Sequence, residues 1–227
     1  MKKVSLILTA VFITAMMVTS CRGGGGTKDE EPPNKTTLST EVTIGKQVWM
    51  TQNLDVDKFR NGEVIPEAKT EGEWKAYADA GEAAWCYYDN DLANGAKYGK
   101  LYNWYAVNDP RGLAPAGYHI PSDAEWTKLT DFLGREKNVA VTKMKSKTGW
   151  NENGNGTNSS GFSGLPGGYR DNLGTFLSIG EDGYWWSSSE NYTDNAWDRN
   201  LGYNSGCVFR LNGIYKEEGF SVRCLRD

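Results

Sequence analysis

The sequence predicts a single α+β domain that is rich in loops and contains short antiparallel strands and about two helices. Two capping boxes mark the helix starts, and short apolar runs bounded by glycines mark the strands. The 227 residues include 27 Gly, 9 Trp and 12 Tyr, so aromatic rings should fill much of the core. This length suffices for one well-packed domain and is short for two.

A β-hairpin and a helix are predicted first. Apolar residues alternate along the hairpin at Val42, Ile44, Val48 and Met50. Gly45 and Lys46 form its turn. The helix starts at the capping box of Thr70 and Glu73 and stops at Gly81. Its apolar face consists of Trp74, Tyr77 and Ala78.

The second helix has the clearer signal. Ser122 and Glu125 form an S-x-x-E capping box, and Gly134 offers the stop. Apolar residues recur at helical spacing at Trp126, Leu129 and Leu133. One face of this helix should therefore pack against the core.

The remaining elements are predicted from apolar runs and glycine turns. Residues 84–88 should be extended, 89–95 should form a turn or loop, and 101–107 should be a buried helix or strand. Residues 151–161 form a long polar loop. Short strands are expected within 162–170, 183–187 and 219–225.

The N-terminus is typical of an exported lipoprotein. Lys2 and Lys3 precede an apolar run over residues 4–18, which indicates a signal peptide rather than a lasting membrane span. Two small residues and then Cys21 follow, and this ending resembles a bacterial lipobox. We therefore expect a signal peptide at 1–20, lipidation of Cys21, a tether at 21–39 and a domain at 40–227.

The tether indicates a location in the cell envelope. Four consecutive glycines make it flexible, and two prolines stiffen its far end. The acidic cluster at 28–31 resembles the export signal of surface lipoproteins in Bacteroidota. The expected partner is the outer membrane, reached through the lipid, with the domain displayed at the surface.

Seven strings of the sequence together resemble the Fibrobacter succinogenes major paralogous domain. They read TIGKQVWMTQNL, WCYYDND, YGKLYNWYAV, GYHIPSDAEWTKL, GFSGLPGGYRD, GYWWSSSE and GFSVRC. The resemblance covers roughly residues 40–227. It implies a distant relation to the formylglycine-generating enzymes, and hence a C-type-lectin-like topology, but it implies no established activity.

Two departures from the related patterns concern cysteine. Relatives often carry a Cys where this chain has Ala114, and that Cys would bridge to the residue matching Cys224. Formylglycine-generating enzymes use a close Cys pair with copper, whereas Cys207 stands here without a neighbour. The resemblance therefore implies that this oxidative activity is absent.

The cysteines of the mature chain suggest a structural role. Cys86, Cys207 and Cys224 remain after lipidation of Cys21, and an oxidising compartment permits one disulfide among them. Cys207 with Cys224 is the preferred pair, and Cys86 with Cys224 is the next. A redox role is disfavoured because the chain lacks C-x-x-C.

Composition and residue types exclude several classes of function. The net charge is −4 and the basic residues are dispersed, so nucleic acid is not an expected partner. The single histidine, His119, lies in an extended apolar run and is expected to pack rather than to catalyse. A zinc site built from His and Cys would lack ligands.

Carboxylates leave a hydrolase and a calcium site open as alternatives. A polysaccharide hydrolase would need two of them. Candidates are Asp89, Asp91, Glu181, Asp182, Glu190 and Asp198. Calcium could use the oxygens of 89–91 or of 191–200, and a structural ion is the one cofactor considered. Turn capping explains the same residues more simply.

A ligand surface is expected between residues 180 and 207, where aromatic rings alternate with amides and carboxylates. The candidate residues are Trp185, Tyr192, Asn195, Trp197, Asp198 and Tyr203. One of Trp185 and Trp186 must face inward if the segment is extended. We expect a non-enzymatic module that binds glycan or protein; the alternatives are the hydrolase and a purely structural envelope component.

Overall fold

The structure is a computed structural model that describes residues 41–134 and 138–227. The expected signal peptide, Cys21 and the expected tether lie outside these residues. The described part is an α+β domain of several sheets and five α-helices, with most residues in strands and loops. The predicted fold class is confirmed at this level.

Eleven strands and five helices follow one another in the described ranges. The strands are β1 (Glu41–Ile44), β2 (Gln47–Met50), β3 (Trp85–Cys86), β4 (Leu101–Tyr102), β5 (Tyr118–His119), β6 (Gly167–Arg170), β7 (Phe176–Ile179), β8 (Asp182–Tyr192), β9 (Asn195–Gly202), β10 (Val208–Tyr215) and β11 (Leu225–Arg226). The helices are α1 (Glu71–Ala80), α2 (Leu92–Tyr98), α3 (Trp104–Val107), α4 (Asp123–Leu133) and α5 (Val139–Met144).

The strands form three sheets in the described part of the chain. One has four strands in the order β1-β2-β11-β5, and another has five in the order β10-β9-β8-β6-β7. The third pairs β3 with β4. Leu225 pairs with Trp49 on one side and with His119 on the other, so the chain end lies beside the predicted hairpin.

The hairpin and both predicted helices are confirmed. The side chains of Thr70 and Ser122 each accept a hydrogen bond from the N3 amide. In return, the side chains of Glu73 and Glu125 accept one from the backbone amide of the N-cap residue. Gly81 ends α1 with φ 67°, a left-handed conformation that glycine adopts without a Cβ clash.

The expectation of about two helices is wrong, because α2, α3 and α5 are additional. Each is only 4 to 7 residues long, too short for a helical period to emerge from the sequence. Asp91 and Asn103 cap α2 and α3 with their side chains. Asp91, which was predicted to lie in a turn, is therefore a helix cap here.

The C-terminal strands are longer than predicted. β8 spans 11 residues instead of the expected five, and β9 and β10 lie where no individual strand was predicted. Within the predicted strand at 219–225, three residues make isolated bridges, and only Leu225 belongs to a strand, Leu225–Arg226. Polar residues within β9 concealed it, since Asp198, Arg199 and Asn200 are all buried.

Aromatic rings fill the core, as predicted. The ring centroids of Trp49 and Trp126 lie 4.8 Å apart, and those of Trp186 and Phe220 lie 4.4 Å apart. Trp185 and Trp186 are both fully buried, because opposite faces of β8 pack into two different core clusters. The expectation that one of them faces inward therefore understates their burial.

The three cysteines of the described ranges are free thiols. The preferred disulfide between Cys207 and Cys224 is not formed, because Cys207 lies exposed before β10 while Cys224 is buried in the core. The alternative pair is not formed either, since Cys86 packs in a separate cluster. Burial raises the pKa of the Cys86 and Cys224 thiols to about 12, which keeps both unreactive.

Candidate functional site

The six predicted ligand residues do not share one cleft. Trp185 and Asp198 are fully buried, and Tyr203 packs half-buried against the core. The remaining three, Tyr192, Asn195 and Trp197, lie at the far end of the β8–β9 hairpin. The structure thus divides the predicted set into core residues and surface residues.

Two exposed tyrosines flank Asn195 across three strands. Asn195 pairs with Tyr192 on β8 and with Tyr215 on β10. Residues directly opposite each other in a sheet project to the same face. The two tyrosines remain 69% and 52% exposed, so two rings and an amide form a row open to solvent.

Trp197 extends this row, since side chains two positions apart along a strand share a face. The Arg210 guanidinium lies 3.7 Å from the centroid of its ring. Arg210 also donates two hydrogen bonds, of 2.8 and 2.7 Å, to the carboxylate of Asp123. We call Tyr192, Asn195, Trp197, Arg210 and Tyr215 the aromatic surface.

Asp123 fixes the charged edge of the aromatic surface. It is the first residue of α4, and Arg199 contacts it at 2.9 Å from the buried side. Burial opposes ionisation of Asp123, but the hydrogen bonds from Arg210 and Arg199 outweigh it and lower its pKa. The carboxylate is therefore ionised at neutral pH, and Arg210 is held in one orientation over Trp197.

The carboxylates of the hydrolase alternative are largely engaged elsewhere. Glu190 forms an ion pair with the buried Lys216, and Asp91 caps α2. Asp198 has no exposed surface with which to reach a substrate. Asp182 is half-buried beside Asn200, and burial raises its pKa.

Asp198 is chemically unusual despite its burial. Neither of its carboxyl oxygens has a hydrogen-bond partner within the described residues. Burial raises the pKa of Asp198 to about 8, because the charge of Arg199 offsets only part of the cost of desolvation. Burial likewise raises the pKa of nearby Glu218 to about 7. Asp198 is thus a neutral acid at pH 7.

His119 joins the chain end to α4. Its Nδ1 lies 2.8 Å from the Asp227 carboxylate, and its Nε2 lies 3.1 Å from that of Glu125. Both ring nitrogens are thereby engaged by carboxylates. The expectation that this histidine does not catalyse stays a prediction.

The residues considered for calcium serve the backbone instead. Asp91 accepts a hydrogen bond from the Ala93 amide, and Asn90 donates one to the Lys69 carbonyl. Residues 195–200 of the second candidate run belong to β9. Across 41–134 and 138–227, no group of three or more His, Cys, Asp or Glu side chains is placed to hold a metal ion.

A half-buried polar centre at Asn53 was not predicted from the sequence. Its Oδ1 accepts hydrogen bonds from Trp185 Nε1 at 2.8 Å and from Arg223 Nη2 and Nε at 2.7 and 3.1 Å. Its Nδ2 donates to the Tyr98 carbonyl and to Ser221 Oγ. One amide therefore connects segments up to 170 residues apart. Asn53 lies within the string TIGKQVWMTQNL, but no local pattern marks it as a polar centre.

The fold and these features define an α+β domain with an aromatic core, polar internal connections and one exposed aromatic surface. The family model of the Fibrobacter succinogenes major domain matches residues 42–226, and the chain belongs to this family. The resemblance noted from its seven strings is thus confirmed. No curated protein matches the chain. In the described ranges, no helix is long and apolar enough to cross a membrane.

Proposed function

We propose that this protein is a lipid-anchored module of the cell envelope that binds an extracellular glycan or protein through the aromatic surface. The observation that carries the proposal is the solvent-facing row of Tyr192, Asn195 and Tyr215. Sugar rings and peptide side chains stack on flat aromatic faces, while a fixed amide supplies hydrogen bonds for orientation.

The stiffness of the aromatic surface favours recognition. Its rings stand on paired strands, and Arg210 is held by Asp123 rather than swinging freely. A ligand would therefore cost these groups little conformational entropy on binding. Exposed aromatic residues that cluster on one face also indicate a binding site, whereas exposed aromatic residues scattered over a surface do not.

Anchoring completes the proposal. Cleavage after residue 20 would leave Cys21 to carry lipid in the outer membrane, and residues 21–39 would hold the domain away from the bilayer. Replacing Cys21 with Ala is expected to release soluble protein and to abolish fatty-acid labelling. Fractionation and labelling of cells check this. Membrane retention unchanged by the substitution would refute the lipid anchor.

We also propose that the domain has a C-type-lectin-like topology related to that of formylglycine-generating enzymes. Two features support it. The C-terminal strand β11 lies between β2 and β5, which joins the start and the end of the domain in one sheet. The two longest helices, α1 and α4, and the long strands β8, β9 and β10 make up most of the remaining regular structure.

A glycan array tests the binding proposal. Tyr192→Ala and Tyr215→Ala are each expected to weaken binding to any responsive glycan at least about tenfold, because each removes an aromatic stacking face. The matched control is Phe132→Ala, which truncates an exposed ring on α4 outside the aromatic surface.

The same array separates the alternatives. Glycan retained without turnover supports the binding module. Product release that disappears when one carboxylate is changed to its amide would establish the hydrolase instead. Absence of both binding and turnover across broad glycan and protein panels would favour the structural component.

A further inference from the structure

A polar pocket lies on elements that the aromatic surface does not use. Its volume is about 370 Å³, which suits one sugar-sized molecule. The segment after β2 and the C-terminal half of α2 form two of its walls. Side chains that line it include Gln52, Asn53, Asp55, Lys97, Ser163 and Leu165.

The floor of the polar pocket is backed by a buried positive charge. Asn53 lines the pocket, and its Oδ1 receives Arg223 Nη2 at 2.7 Å from the interior. The other Arg223 hydrogen bonds go to the backbone carbonyls of Met50 and Phe162. No carboxylate of the described residues forms an ion pair with this guanidinium, which is fully buried.

An unpaired buried charge is uncommon and raises the electrostatic potential around it. Burial lowers the pKa of Arg223 to about 9, so the guanidinium still carries its charge at neutral pH. Its field reaches the pocket through a single side chain, that of Asn53. A negative group bound in the pocket would supply the missing countercharge.

The rim adds a second unneutralised cation. Lys97 is exposed, and its Nζ lies 4.6 Å from the centroid of the Tyr98 ring with no ion pair among the described residues. In contrast, Lys100 and Asp55 neutralise each other at 2.6 Å. The charge that remains around the pocket is therefore positive.

The other groups that line the polar pocket determine which anions fit best. The C-terminal end of α2 borders the pocket, and its partial negative charge disfavours a dianion such as a phosphate ester more strongly than a monoanion. The Gln52 amide and the Asp55 carboxylate can exchange hydrogen bonds with ligand hydroxyls, and Leu165 offers one small apolar patch.

We propose that the polar pocket binds a small, hydroxyl-rich carboxylate, such as a hexuronate unit, with its carboxylate at Lys97 and within the electrostatic field of the buried Arg223. The inference goes beyond the proposed function, since the polar pocket and the aromatic surface share no residue.

Calorimetric titration of the full chain with D-glucuronate, D-glucose, acetate and inorganic phosphate tests this proposal. We expect binding of glucuronate that is at least about tenfold tighter than that of the other three. Lys97→Gln should weaken it at least about tenfold, since a charge-assisted contact is lost. Lys128→Gln, the same change on the exposed face of α4, should leave it unchanged.

Several results would overturn the proposal. Glucose or acetate binding as tightly as glucuronate would show that the carboxylate and the hydroxyls are not read together. Tighter binding of phosphate, or no binding of glucuronate, would contradict the charge argument. Loss of glucuronate binding in Tyr192→Ala but not in Lys97→Gln would place the ligand on the aromatic surface, and would leave the proposed function intact.

Discussion

Replacing Asn53 with Ala is expected to destabilise the domain by about 2–4 kcal/mol, because it removes hydrogen bonds to a charged group and leaves other polar groups without a partner. The substitution removes the acceptor shared by Arg223 and Trp185. It also strands the Tyr98 carbonyl. Arg223 would then retain its charge in the interior with only two carbonyl partners.

Urea unfolding of the purified domain measures this loss. Asn61→Ala is the matched control, because that asparagine is exposed and bonds only to Glu63 within one turn. Its effect should stay below about 0.5 kcal/mol. Asn53→Asp should retain part of the stability, since it keeps an acceptor for Arg223 but loses the amide donors. If Asn53→Ala lowers the free energy of unfolding by less than about 1 kcal/mol, the hydrogen bonds of Asn53 do not stabilise the domain.

Between pH 4 and pH 8 the domain is expected to lose stability, and Asp198→Asn is expected to remove most of that loss. The pKa of Asp198 is raised from 3.8 to about 8 in the folded state. The folded chain therefore keeps a proton that the unfolded chain releases near pH 4. The free energy of unfolding falls as the pH rises through this window, by up to about 5 kcal/mol.

Other carboxyl groups also change the free energy of unfolding with pH. Glu218, whose pKa is raised to about 7, acts in the same direction over a narrower window. Asp123 and Glu125 have lowered pKa values, so their contributions are complete at neutral pH and oppose the descent only at its acid end, near pH 4–5. The descent from pH 4 to pH 8 should therefore be dominated by Asp198.

Urea unfolding at a series of pH values measures the slope in wild type, in Asp198→Asn and in a control. Asp79→Asn serves as the control, because Asp79 is an exposed partner of Lys75. The control should reproduce the wild-type descent, whereas Asp198→Asn should flatten it. A descent in Asp198→Asn as steep as that of the wild type would mean that Asp198 is already ionised when buried.

The parts of the fold set by neighbouring residues could be predicted from the sequence. The capping boxes at Thr70 and Ser122 act over three residues, and the hairpin turn at Gly45 acts over two, so each is visible locally. In contrast, β9 is held by partners on β8 and β10. Its buried Asp198 and Arg199 appear polar in the sequence and therefore resembled a loop.

In the candidate site, too, residues that are close in the sequence could be predicted and residues brought together by the fold could not. Tyr192, Asn195 and Trp197 lie close together in sequence and were identified as candidates. Tyr215 was missed, because its place beside Asn195 depends on the register of β10. Asn53 was missed for a similar reason, since its hydrogen bonds to Arg223 join residues 170 positions apart. Side chains that act through distant partners leave no local pattern.

The central claim is that the aromatic surface binds a ligand and leaves it unchanged. Amide hydrogen exchange of the wild-type protein, with and without a glycan found on the array, tests it most directly. We expect slower exchange around Tyr192–Asn195 and Tyr215, with the glycan recovered intact. Protection confined to other segments, or a glycan recovered as cleaved product, would contradict the account.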